Sequence, residues 1–206
     1  MFLHFYPDGS LVLNSTPLVY ADGTINLDIA YLKDLFKVMK AGGQKKVLLS
    51  IGGWHTSDYT FSRILTSLSV YPNPETNPYF RNLLIAKQYF QFDGIDLDFE
   101  PDWEVGFIAY DDTYAKLLAD ITRWAYANGM IVTCAPYTDI DFWKKVLAKT
   151  VGADGRQMVT RFNVQFYGGG RNNAYQEWFD GLTDPNNGIA DLDRFLSVGY
   201  DCTKSD

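Results

Sequence analysis

One segment concentrates side chains able to do acid–base chemistry: Phe92-Asp93-Gly94-Ile95-Asp96-Leu97-Asp98-Phe99-Glu100. Strand side chains alternate between faces, so Asp96, Asp98 and Glu100 share one side and Ile95, Leu97 and Phe99 the other. Same-face neighbours lie roughly 6.5–7 Å apart along a strand, a gap that side chains partly close. Three like charges enclosed together cannot all ionise cheaply. Repulsion and desolvation should raise at least one pKa, leaving a proton-carrying acid near neutral pH beside an ionised neighbour. That arrangement suits general-acid catalysis. Two other readings use the same residues. A solvated strand face alternates in this way, often paired with Lys or Arg, and a carboxylate cluster can take Mg²⁺ or Ca²⁺. Against the first, Lys46 and Arg161 are the only basic residues in the neighbouring strands, both at their starts. Against the second, the cluster has no Asn or His, while His4 and His55 stand alone in the sequence.

The elements that must hold this strand alternate between short apolar runs and segments of helical period. Strands are expected at Met1–Tyr6, Lys46–Ile51, Phe92–Glu100, Met130–Pro136, Thr160–Tyr167 and Phe195–Gly199. The stretch from Asp8 to Asn26 is rich in turn residues. Helices are expected near Asp28–Lys40, with Ile29, Leu32, Leu35, Phe36 and Met39 on one face, and at Ser57–Val70 and Pro78–Phe90. Further helices follow from a cap at Asp111 or Asp112 to Asn128-Gly129, from Asp139 or Asp141 to Val151, and over Asn172–Leu182. Six strands separated by helices argue for an α/β fold with a parallel sheet, either a barrel or a doubly wound sheet. No G-x-G-x-x-G or G-x-x-x-x-G-K-[ST] supports a dinucleotide or P-loop site. In a barrel, the carboxylates would climb the interior toward the C-terminal strand ends, where barrel active sites sit.

Composition narrows the partners. The chain has 206 residues, 47% of them hydrophobic, enough for one domain over 1–206. A net charge of −7, with no basic cluster beyond Lys45-Lys46 or Lys144-Lys145, disfavours nucleic acid. No apolar run nears the ~20 residues of a membrane span, and the N-terminus lacks a signal-peptide pattern. Cys134 and Cys202 are too few for a disulfide scaffold or a zinc site. No cofactor and no metal are expected.

The segment Asp93-Gly94-Ile95-Asp96-Leu97-Asp98-Phe99-Glu100 resembles the D-G-x-D-x-D-x-E signature of glycoside hydrolase family 18, the chitinases and endo-β-N-acetylglucosaminidases. Ser50-Ile51-Gly52-Gly53 resembles that family's S-x-G-G strand, and Asn163-Val164-Gln165-Phe166-Tyr167 is similar to its sixth-strand segment. The resemblance implies a TIM-type (β/α)₈ barrel that cleaves β-1,4 bonds after N-acetylglucosamine, in chitin or a chitobiose core, with retention and by substrate-assisted catalysis. It implies that Glu100 is the acid–base, that Asp98 holds the acetamido N–H, and that Asp96 shares a proton with Asp98. Tyr167 would donate to the acetamido carbonyl. Gln165 would contact the sugar, and Trp54, Tyr137 and Tyr6, at or just after strand ends, are candidate sugar platforms. The partner implied is an N-acetylglucosamine-containing glycan, and the full-length form would be secreted.

Two features depart from the family pattern. Gly168 stands where Asp or Asn often follows the tyrosine, and the eighth-strand tryptophan has no counterpart, Trp178 falling in an expected helix. The six strands then read as the family's second to seventh. Because a closed barrel needs about 250 residues, the expectation is a barrel truncated at both ends, which self-associates if it is open. A non-catalytic chitinase-like lectin is the alternative, although that branch commonly loses the acid retained here at Glu100.

Overall fold

The computed structural model describes residues 2–43, 45–102, 104–168 and 172–199. Expectations that touch Met1, Trp103, Gly169, Gly170 and Cys202 lie outside the described residues. In chain order the elements are β1 (Phe2–Phe5), β2 (Leu11–Leu13), β3 (Thr16–Val19), α1 (Tyr31–Lys40), β4 (Leu48–Gly52), α2 (Ser57–Val70) and α3 (Pro78–Phe90). These are followed by β5 (Gly94–Asp98), α4 (Asp112–Ala127), β6 (Ile131–Cys134), α5 (Ile140–Ala148), β7 (Val159–Gln165), α6 (Tyr175–Gly181), α7 (Leu192–Phe195) and β8 (Leu196–Gly199). The strand order is β3-β2-β1-β4-β5-β6-β7-β8. The fold is α/β, and the six strands of the βα series are those expected from sequence. Among the described residues, no helix is long and apolar enough to cross a membrane.

The chain forms two compact units, Met1–Ile95 with Pro101–Ile108, and Asp96–Glu100 with Ala109–Asp206. In the first, β1 pairs in parallel with β4, Leu3 opposite Ile51, and antiparallel with β2. The hairpin β2–β3 is a correction to the turn-rich reading of Asp8 to Asn26. Leu11, Val12, Leu13, Leu18 and Val19 are buried in it. Its turn uses Asn14 and Ser15, both at positive φ. Pro17 argues against a strand in sequence, but β3 ends the strand order, and an edge is where a residue without an N–H is tolerated.

Helix α1 is a second correction. Its preceding 3-10 turn, Leu27–Ile29, is capped by Asn26, and the buried stripe is Ile29, Leu32 and Phe36. Leu35 and Met39, 42% and 44% exposed, lie at the rim of that stripe. By contrast, α2 and α3 have the expected bounds. Asn77 caps α3 through Tyr79 N–H and Pro78 takes the first turn, where its missing donor costs nothing.

In the second unit, β6, β7 and β8 pair in parallel, with Cys134 opposite Phe162 and Phe162 opposite Leu196. Asp111, rather than Asp112, caps α4 by accepting from Tyr114 N–H. Helix α5 stops at Ala148, short of Val151, and α6 begins at Tyr175, later than expected. Trp178 is helical and buried. The core is aromatic: Phe99 stacks on Phe142 with centroids 5.1 Å apart, and Trp143 meets Phe162 edge-on at 5.5 Å.

Asn82 of α3, 0% exposed, donates to Gly9 O at 2.8 Å and to Tyr20 O at 3.1 Å, tying the loops that flank the hairpin. Asn82→Ala removes both donors from buried carbonyls. Denaturant titration is expected to show a loss of about 1–3 kcal/mol; an unchanged midpoint would deny the tie.

Candidate active site

Strand β5 sorts its side chains as its alternation requires. Ile95, Leu97 and Phe99 are each 0% exposed, while Asp98 and Glu100, 7% and 8% exposed, lie on the other face with half-buried Asp96. Glu100 stands just past the strand end, where Pro101 stops the pairing.

Strand β7 presents a matching ladder. Its residues Phe162 and Val164 are buried among core side chains, so Asn163 and Gln165 take the opposite face. Asn163 Nδ2 donates to Asp96 at 3.3 Å, and Thr133 Oγ1 of β6 also donates to Asp96. Gln165, 4% exposed, places Nε2 at 3.0 Å from Asp98 Oδ1, 3.0 Å from Glu100 Oε1 and 3.1 Å from Ala135 O. The resemblance gave Gln165 to the sugar; here its amide nitrogen is engaged with the acids themselves. Asn173 Nδ2, donating to the carbonyls of Gln165 (2.9 Å) and Tyr137 (2.8 Å), holds those two strand ends.

The electrostatics follow from this enclosure. Burial, then the neighbouring charge of Glu100, the hydrogen bond with Glu100 and the charge of Asp96 push Asp98 from its ordinary 3.8 up to about 9, against a smaller opposing pull from Gln165. One carboxyl of the group thus keeps its proton at neutral pH, as three enclosed acids require. Burial also pushes the phenol of Tyr167 up, with further contributions from Asp98, Glu100 and Asp96. Its ring lies over Gly199, where an added Cβ would stand 3.3 Å from Cε1.

Sequence reasoning missed several neighbours. Tyr110 packs edge-on against Phe99 at 5.7 Å, and its buried hydroxyl has no hydrogen-bond partner among the described residues. Burial and then Glu100 drive its pKa upward. Thr133 and Asn163 were equally unassigned, because only the cross-strand register brings them to Asp96. Cys134 is a buried free thiol. Among the described residues no three His, Cys, Asp or Glu side chains are grouped to hold a metal.

The remaining candidates differ in setting. Tyr137 is half-buried after β6 and contributes to the upward shift of Tyr110. Trp54 and Tyr6 belong to the first unit. Tyr6 is 44% exposed, and its carbonyl accepts from Tyr79 Oη at 2.9 Å. Trp54 is 69% exposed and stacks on His55 at 4.1 Å, just after Gly52 and Gly53, whose φ of 108° and 93° turn the chain out of β4.

A family model for glycosyl hydrolases family 18 matches residues 2–200. The chain belongs to glycoside hydrolase family 18. Among solved structures, a chitinase from Rhizomucor miehei is 20% identical with a TM-score of 0.59, the match covering 96% of this chain and 59% of that one. A mutant of Ostrinia furnacalis Group II chitinase catalytic domain 2, in complex with penta-N-acetylchitooctaose, is 16% identical with a TM-score of 0.60, covering 96% and 54%. The Bacillus megaterium spore cortex-lytic enzyme is 17% identical with a TM-score of 0.55, covering 96% and 42%. The family 18 chain thus spans between 42% and 59% of these proteins, and at such identities the likeness is one of fold. No curated protein matches it in sequence.

Asp98 gives a pH prediction. A carboxyl that binds its proton more tightly folded than unfolded contributes stability that is full below about 4 and lost as the pH rises toward about 9. Asp98→Asn mimics the protonated form. Its denaturation free energy should match the parent near pH 4 and exceed it increasingly up to pH 9, whereas a pH-independent difference would contradict the assignment.

Proposed function

We propose that this family 18 chain carries the acid–base machinery of a retaining endo-hydrolase of β-1,4 bonds after N-acetylglucosamine, in chitin or a chitobiose core. The observation that carries the reading is the buried Asp98–Glu100 pair bridged by Gln165, an enclosure that pushes the Asp98 carboxyl up to about 9. In the proposed reaction, the proton that rests on Asp98 in the free protein passes to its hydrogen-bonded neighbour Glu100 as substrate binds, leaving Asp98 ionised. Glu100 gives it to the leaving glycosidic oxygen while the substrate's own acetamido oxygen attacks the anomeric carbon. The C–O bond to the leaving sugar breaks and an oxazolinium ion forms. Asp98 holds the acetamido N–H and balances the positive charge, and Tyr167 donates to the acetamido oxygen. Water then attacks the anomeric carbon and returns a proton to Glu100, leaving the configuration retained.

Asp96, held by Thr133 and Asn163, adds the negative charge that keeps Asp98 protonated. Trp54, Tyr137 and Tyr6 supply apolar ring faces for sugar rings. The named complex of the Ostrinia furnacalis domain supports an N-acetylglucosamine oligosaccharide as the ligand. The same partner suits a full-length protein acting outside the cell.

Glu100→Gln is expected to cut cleavage of a fluorogenic chitotrioside by about 10²–10⁴-fold, the usual worth of a positioned general acid–base, while leaving oligosaccharide binding in place. Unchanged turnover would sink the assignment. Binding without cleavage by the unaltered chain would instead establish the lectin alternative. Colloidal chitin against a high-mannose glycoprotein, scored by product release, separates the two substrate classes.

A further inference from the structure

A second cluster, in the first unit, surrounds Trp54, one of the proposed sugar platforms. Trp54 leaves 69% of its surface open, although an indole gains by burial. It is nonetheless held. The His55 ring stacks on it with centroids 4.1 Å apart and planes at 22°. His55 sits at φ 61°, a region that few residues other than glycine adopt, and such strain persists only where the surroundings over-determine it.

Those surroundings are on both sides of the residue. Gly53 O accepts from Thr56 N at 3.1 Å, Ser57 N at 2.9 Å and Ser57 Oγ at 3.0 Å, closing the turn into α2. Asp102 Oδ2 lies 2.9 Å from His55 Nδ1. Asp102 is itself 6% exposed, and its Oδ1 accepts from Glu104 N at 2.9 Å, so the carboxylate is a fixed anchor for an exposed imidazole.

We propose that Asp102 and His55 are positioning residues for Trp54. Asp102 fixes the imidazole, the imidazole backs one face of the indole, and the opposite face receives the apolar face of a sugar ring. The last step rests on the N-acetylglucosamine reading given above; the latch itself does not. A ring held in one plane before binding loses less freedom when the sugar arrives, so the latch acts on affinity rather than on the bond-breaking step.

Two readouts test this on the whole chain. In the first, the protein is labelled with 5-fluorotryptophan, and the Trp54 ¹⁹F line is identified by its loss in Trp54→Phe. His55→Ala and Asp102→Leu are expected to move that line toward the free amino acid's position, while His55→Phe, which keeps a stacking ring, holds it near the parent's. The lines of Trp124, Trp143 and Trp178 report that the fold is intact. In the second, calorimetry with chitotetraose in a Glu100→Gln background should show His55→Ala and Asp102→Leu weakening binding about 3- to 10-fold, the scale of one oriented aromatic contact. His55→Phe should stay within about 2-fold on the same argument. A Trp54 line unmoved in His55→Ala, or His55→Phe as weak as His55→Ala, overturns the latch. A parent that does not bind chitotetraose while the ¹⁹F lines shift as expected overturns the sugar-binding reading and leaves the latch standing.

Discussion

The rest of the site depends on the cost of enclosing Asp98 and Glu100 together. Two carboxyls drawn out of water and set within reach of one amide nitrogen cannot both ionise at the usual price. Asp98 answers by keeping its proton to about pH 9. Gln165 makes the enclosure tolerable, since its amide donates to both acids and to Ala135 O from a position that is itself buried. Breaking that bridge would take one shared donor from three acceptors in a low-dielectric setting, where a lost hydrogen bond is most expensive. The proton held by the pair is therefore a product of packing, and it is the one that the proposed reaction spends.

Strand geometry delivers this arrangement with little else required. On β5 and on β7 the polar face recurs every second residue, and parallel pairing through β6 sets Asn163 toward Asp96 and Gln165 toward Asp98 and Glu100. The opposite face of β5 is anchored by Phe99 against Phe142 and Tyr110. Because that aromatic packing leaves Ile95, Leu97 and Phe99 wholly buried, a one-residue slip would drive carboxylates into the core, so the register is strongly specified.

The alternation of β5 and the place of Gln165 at the end of β7 were legible in the sequence, because both follow from a period of two, whereas Tyr167, expected at the strand end, falls two residues past it. So were the bounds of α2 and α3, marked by Asn77-Pro78 and the turn residues around them. The hairpin was hidden because Pro17 and the Asn14-Ser15 turn carry ordinary loop chemistry, and only the edge position of β3 makes them compatible with a strand. In α1, counting apolar residues gave too wide a stripe; Leu35 and Met39 fall outside the part that finds a partner. Thr133, Asn163, Tyr110 and the His55–Asp102 pair are contacts between distant residues, and register and loop path are not encoded in local periodicity.

The central claim is that the Asp98–Glu100 pair carries one proton at neutral pH. Side-chain ¹³C NMR of the carboxyls, titrated from pH 3 to 10 and assigned with Asp98→Asn, measures this directly. The account predicts a resonance that stays at the protonated position through pH 7 and moves near pH 9. If every carboxyl in the spectrum ionises in the ordinary carboxylate range, near pH 4, the buried proton does not exist and the account fails.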